Sequence, residues 1–224
     1  MTLLKTEGLS AGYHGVPAIR DLDLQVDAGE MVLLAGPNGA GKSTTVMTLA
    51  GAIKPLAGDV LVDDAVCRLP VHRRCQQGLG LVTEERTIFP SLTVMENLRL
   101  GQGAPDVALT CFPELEKRIG VRAGLLSGGE QQMLSLARVL AAEPKTILAD
   151  ELSMGLAPII VRRLLAALRK AADQGAGVLL VEQHVHMALP VVDRAYLMRR
   201  GRVERGGTSQ ELRADEAVLK ALYL

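Results

Sequence analysis

The chain has 224 residues, enough for one domain with a full core and a small insertion but not for two large independent domains. Lys and Arg number 25 against 25 Asp and Glu, and aromatic residues make up 2% with no Trp. Neither a basic field for a nucleic-acid backbone nor a ring platform for base stacking is therefore available. The 48% apolar content lies in short Ala, Leu and Val stretches, none near the ~20 residues of a membrane span.

In chain order, Asp21 to Val26 alternates apolar and polar residues and reads as a strand, with Gly29-Glu30 as the turn into the buried run Met31–Ala35. A glycine-rich loop follows, and then Thr45 to Ala50 at helical spacing. Val60–Val62 and Leu79–Val82 read as further strands. The stretch from about 85 to 140 is more helical and interrupted by turns, so it is expected to be a helical insertion. Its last helix carries Met133, Leu136, Ala137, Leu140 and Ala141 at helical spacing and stops before Pro144. Thr146–Ala149, Val178–Val181 and Ala195–Met198 are strand candidates, the first two joined by a helix over about Ile159–Gln174. Strands alternating with helices predict an α/β domain with a mostly parallel sheet covered on both faces. Cys67, Cys75 and Cys111 form no CxxC pair, and the N-terminus lacks a basic segment followed by an apolar one. Both features point to a reducing compartment.

Gly36-Pro37-Asn38-Gly39-Ala40-Gly41-Lys42-Ser43 fits G-x-x-x-x-G-K-[ST] and continues into Thr44 between a predicted strand and a predicted helix. In that context the backbone N–H groups cradle phosphate oxygens, Lys42 reaches the β/γ-phosphates of ATP and the Ser43 hydroxyl faces Mg²⁺. Asp150 and Glu151 sit at the carboxyl end of a buried strand, where open parallel sheets bind ligands. Asp150 is placed to hold Mg²⁺ or its water, and Glu151 to polarise a water attacking the γ-phosphate. The third element is Leu126-Ser127-Gly128-Gly129-Glu130-Gln131. Ser127 and Glu130 form a capping box, while two glycines in the first helical turn bare amides where an anion is attracted. One chain has a single nucleotide loop, so the simplest use of this second anion site is the γ-phosphate held by another subunit.

These motifs in this order resemble the ATP-binding subunits of ABC transporters over nearly the whole chain. More closely, Glu84–Leu98, Gly155-Leu156-Ala157-Pro158 and Val181-Glu182-Gln183 are similar to the branched-chain amino-acid (Liv-type) transport ATPases, whose near relatives include urea and amide importers. The resemblance implies an ABC ATPase fold, with an N-terminal antiparallel β portion beside the parallel sheet. It further implies that Tyr13 stacks on adenine, that Glu84 stands where most members carry a Gln sensing Mg²⁺ and the attacking water, and that Gln183 stands where most carry a switch histidine, with His184 next to it. Leu152 and Ala157 replace the usual Pro and Asp. The implied partners are a second ATP-binding subunit, identical or related, transmembrane permease subunits docking on Phe89–Leu100, and indirectly a substrate-binding protein. The implied location is the cytoplasmic face of a membrane. The basic groups Arg68, His72, Arg73, Arg74 and Arg199, Arg200, Arg202, Arg205 read as solvated surface.

Overall fold

Three short runs, Met31–Ala35, Thr146–Asp150 and Gly177–Glu182, are buried at every position, as strands covered on both faces must be. The computed structural model describes residues 1–182 and 185–214. Its strands are β1 (Thr2–Tyr13), β2 (Val16–Leu22), β3 (Gln25–Asp27), β4 (Met31–Ala35), β5 (Pro55–Val62), β6 (Ala65–Val66), β7 (Leu79–Val82), β8 (Thr146–Asp150), β9 (Gly177–Glu182), β10 (Arg194–Arg199) and β11 (Arg202–Thr208). The α-helices are α1 (Lys42–Leu49), α2 (Val71–Gln76), α3 (Val94–Arg99), α4 (Pro105–Cys111), α5 (Gly128–Leu140), α6 (Pro158–Asp173), α7 (Val185–Ala188) and α8 (Ser209–Ala214).

The main sheet runs β11-β10-β4-β9-β8-β7. All its neighbours are parallel except β10 and β11, which form an antiparallel hairpin. The period-2 alternation of β4 divides two cores. Met31, Leu33 and Ala35 enter the one shared with α3, α4, α5 and α6. Val32 and Leu34 enter the one between this sheet, α1 and the N-terminal strands. The N-terminal strands form an antiparallel sheet β2-β1-β5-β6 with β3 paired to β1.

Asp21–Val26 is not one strand. β2 ends at Leu22 and β3 starts at Gln25, because the buried Thr6 hydroxyl intervenes. It donates to the Leu22 carbonyl at 2.7 Å and accepts from the Leu24 amide at 2.9 Å. The 12-residue β1 is broken by register shifts around Gly8 and Gly12, so its sequence lacks the alternation that announces a strand. Among the described residues the polar β11 pairs on one side only, and an edge strand needs no apolar run. Between β7 and α5 the chain forms α3, α4 and two 3₁₀ turns, at Pro113–Arg118 and Ala123–Leu125. Helix begins there only at Val94, where Thr93 and Glu96 close a capping box, rather than at about 85.

Candidate functional site

The carboxyl ends of four parallel strands lie in a row: β4 runs into Gly36, β9 ends at Glu182, β8 at Asp150, and β7 is two residues before Glu84. Register aligns them, with Ala35 opposite Glu182, Val181 opposite Asp150 and Ala149 opposite Val82. Phosphate-loop, acidic and Glu84 positions are thereby gathered at one edge of the sheet.

The loop 36–41 is held close to the sheet. A methyl group on Gly36 would stand 2.1 Å from the Met198 carbonyl oxygen, so no side chain fits. Gly41, with φ +105, caps α1, and a methyl there would stand 2.7 Å from Ile19 Cγ2. These two glycines let the backbone turn into α1 with its amides free of side-chain cover. Lys42, 4% exposed, donates to the Pro37 carbonyl at 3.1 Å and lies 3.6 Å from a Glu151 carboxylate oxygen. The Lys42 ammonium is thus folded under the loop, between a carbonyl and a carboxylate that an arriving phosphate can displace.

Asp150 is 2% exposed, and its Oδ1 is buried with no hydrogen-bond partner. Burial pushes its carboxyl up to about 6; the Ser43 hydroxyl opposes this by hydrogen bonding, and the charges of Glu151 and Glu84 add to it. A buried, partnerless carboxylate oxygen pressed by two other carboxylates suits a divalent cation. Among the described residues no cluster of three His, Cys, Asp or Glu side chains could hold a metal alone. Mg²⁺ keeps waters and takes phosphate oxygens beside one or two protein ligands. Asp150 and Ser43 would be those ligands, with Glu84 reaching the site electrostatically. Glu151 follows at φ +49, a left-handed conformation uncommon for a non-glycine residue and usually enforced by its surroundings.

Ser127, Gly128, Gly129, Glu130 and Gln131 form the start of α5. The Ser127 hydroxyl accepts from the Glu130 amide, and Glu130 accepts from the Ser127 amide at 2.8 Å and from Arg118 at 2.9 Å. Those bonds, that of the Ser127 amide foremost, hold the Glu130 carboxyl below the usual carboxylate range. Sequence reasoning gave no role to Arg86. It donates to Gln131 at 3.0 Å, and its guanidinium lies 3.0 Å from where a methyl on Gly128 would be. A cation over a helix start opposes the macrodipole unless an anion joins it. Among the described residues no hydrogen bond or ion pair links 127–131 to 36–44. The start of α5 packs against Arg86 and Ile160, while the loop 36–41 packs against Met198 and Ile19.

Tyr13 is 55% exposed at the end of β1, opposite Val16 of the hairpin whose Ile19 backs Gly41. It is free to meet a flat ring. Gln183 and His184 lie outside the described residues. Ser153 and Glu182, which sequence reasoning also left without a role, are buried together beside Glu151. Only the chance of a buried acid ending an apolar strand marked Glu182.

The family model described as ABC transporter matches residues 19–153. The chain belongs to the ABC transporter family. It is 38% identical to BraG of Pseudomonas aeruginosa, a high-affinity branched-chain amino acid transport ATP-binding protein, over 98% of each chain. It is also 36% identical to LptB of Escherichia coli, a lipopolysaccharide export system ATP-binding protein, over 100% of this chain and 98% of LptB. Among solved structures it matches the dimeric post-hydrolysis state of the ATP-binding cassette MJ0796 bound to ADP and phosphate, with TM-score 0.81 and 26% identity over 92% of this chain and 99% of that one. The ABC ATPase fold is therefore present, and the chain is an ATP-binding ATPase subunit of a transporter, of the branched-chain amino-acid subgroup by resemblance. No helix among the described residues is long and apolar enough to cross a membrane.

Proposed function

We propose that this chain is the ATP-hydrolysing motor of an importer for branched-chain amino acids, working as one of two ATP-binding subunits at the cytoplasmic face of the membrane. The observation that supports the mechanism is that the loop 36–44 and the start of α5 share no hydrogen bond or ion pair among the described residues. Lys42, Ser43, Asp150 and Glu151 converge at the strand ends, while the glycine-started helix α5 offers its anion-binding end elsewhere on the chain. A partner subunit turned head to tail supplies the missing half of each.

In that arrangement the loop 36–44 wraps the phosphates, Lys42 leaves Glu151 for the β/γ-phosphate oxygens, and Tyr13 meets the adenine. Ser43 and Asp150, with Glu84 near, would hold magnesium with the nucleotide, and the ion would supply charge neutralisation at the phosphate oxygens. Glu151, released from Lys42, accepts the proton of the attacking water. The partner's Ser127, Gly128 and Gly129 amides hold the γ-phosphate, with Glu130 capping that helix and Gln131 holding Arg86 beside it. ATP thereby favours the closed pair through contacts the open pair lacks. Loss of the γ-phosphate removes those contacts and the pair opens. Gln183 and His184 are proposed as the neighbours that sense the γ-phosphate.

Residues 85–140 are proposed as an inserted helical subdomain that carries this second anion site and receives the permease. Phe89 and Leu100 are 49% and 54% exposed, and Leu125 is 78% exposed beside Pro90, whose carbonyl takes the Gly124 amide at 2.9 Å. An apolar patch at this position fits a helix from a membrane subunit.

The cargo assignment rests on similarity to BraG, and the similarity to LptB supports a second reading, export of lipopolysaccharide. A strain lacking this chain is expected to lose uptake of labelled leucine, isoleucine and valine. Wild-type chain restores it and Glu151→Gln does not, while the purified Glu151→Gln protein holds ATP and accumulates as a pair. Intact amino-acid uptake with failed lipopolysaccharide transport selects the export reading. Hydrolysis at the wild-type rate by Glu151→Gln removes the role given to Glu151.

A further inference from the structure

Glu151 is held out of an ordinary backbone conformation, at φ +49, and a non-glycine residue stays in the left-handed region only where the surroundings compel it. The compelling contacts come from the end of β9. The Glu151 amide donates to the Val181 carbonyl at 2.9 Å. Two residues further on, the Ser153 amide donates to Glu182 Oε1 at 3.0 Å, and the Ser153 hydroxyl donates to Glu182 Oε2. Glu182 is 2% and Ser153 3% exposed. A carboxylate so enclosed is costly without hydrogen bonds, and here both its oxygens are used to fix the turn after Glu151.

We propose that Glu182 is a positioning residue for hydrolysis: with Ser153 it clamps the turn that aims the Glu151 carboxylate at the attacking water. The inference rests on the reading of Glu151 as the water-polarising base. Its geometry connects three parts of the site. Glu182 is opposite Ala35, the residue before the phosphate loop, it grips the turn that holds Glu151, and it immediately precedes Gln183 in sequence. The Val181 carbonyl fixes the backbone on one side of Glu151, and the Ser153–Glu182 pair fixes it on the other. Without the second anchor the turn 151–153 relaxes toward an ordinary conformation and the carboxylate swings away from the γ-phosphate, while the loop 36–44, which makes none of these bonds, keeps its hold on ATP.

The test measures ATP affinity, thermal midpoint and phosphate release on the full chain for Ser153→Ala, Ser153→Thr, Glu182→Ala and the double alanine variant, with Glu151→Gln as reference. Displacement of a catalytic group by about 1 Å costs up to about 100-fold in rate. Ser153→Ala and Glu182→Ala are therefore expected to lower kcat about 10- to 100-fold, with ATP affinity within about twofold of wild type because the loop 36–44 makes none of these bonds. Ser153→Thr, which keeps the hydroxyl, recovers most of the rate. The double variant is no slower than Glu182→Ala alone, since both remove one anchor.

Wild-type kcat in a folded Ser153→Ala chain overturns the proposal, as do failure of Ser153→Thr to recover the rate and full additivity of the two losses. Should Glu182→Ala fail to fold, Ser153→Ala and Ser153→Thr decide alone. If Glu151→Gln is itself active, the base assignment fails. If it is inactive while Ser153→Ala is normal, only the clamp fails.

Discussion

Asp150 holds its proton to about pH 6 because burial disfavours its charged form and Glu151 and Glu84 stand near. The sign of the consequence is the reverse of a salt-bridged carboxylate. The folded chain binds this proton more tightly than the unfolded chain, so the group costs nothing at pH below its ordinary value of 3.8. Its destabilisation grows as pH rises from there to about 6 and is complete above it. A rise from 3.8 to about 6 amounts to on the order of 3 kcal/mol. Asp150→Asn is therefore expected to raise the thermal midpoint of the nucleotide-free chain at pH 8, to leave it unchanged at pH 3.5, and to abolish Mg²⁺-dependent phosphate release. Scanning calorimetry at the two pH values checks the first part, and a midpoint that falls at pH 8 contradicts the electrostatic account. The residue proposed to hold the cation is thus one whose charge destabilises the nucleotide-free chain.

At the scale of elements, the strand–loop–helix unit β4, 36–41 and α1 leaves no room for a side chain at Gly36 and Gly41, whereas Gly39 serves only the turn. Gly36→Ala puts a methyl 2.1 Å from the Met198 carbonyl oxygen, so β10 or the loop must move. ATP affinity is expected to fall by at least about tenfold, an effect of 1.4 kcal/mol or more. Gly120→Ala, where a methyl meets nothing within 4 Å, stays within about 0.5 kcal/mol of wild type. Equilibrium nucleotide binding by both variants tests the contrast. This unit was legible in the sequence because its motif fixes spacing, and the apolar runs β4, β8 and β9 were legible because strands buried on both faces admit few polar residues. Elements whose signal is tertiary escaped. The gap between β2 and β3 depends on the Thr6 hydroxyl reaching across from β1, which no local pattern records. Arg86, Ser153 and Glu182 escaped likewise, since each takes its meaning from a partner 29 or 45 positions away.

Across the whole molecule, the two halves of the proposed reaction chamber are built on different supports: the strand ends carry one, and the α5 start with Arg86 and Arg118 carries the other. A head-to-tail pair has a consequence that a self-contained site lacks, because each chamber then uses the loop of one chain and the α5 end of its mate. Lys42→Ala spoils every loop and Ser127→Arg every α5 start, so pairs made of either variant alone hydrolyse no ATP. When the two variants are mixed, the mixed pair has one chamber with both parts intact and one with both parts damaged. Equal amounts recombining freely are then expected to recover about a quarter of the wild-type phosphate release, from half the pairs and half their chambers, given closed two-fold pairing. The recovery appears only after mixing and follows the fraction of mixed pairs, which differential tags on the two chains quantify. Pairs formed without any recovered turnover would show that each chain encloses its own triphosphate, and the division of the site would fail.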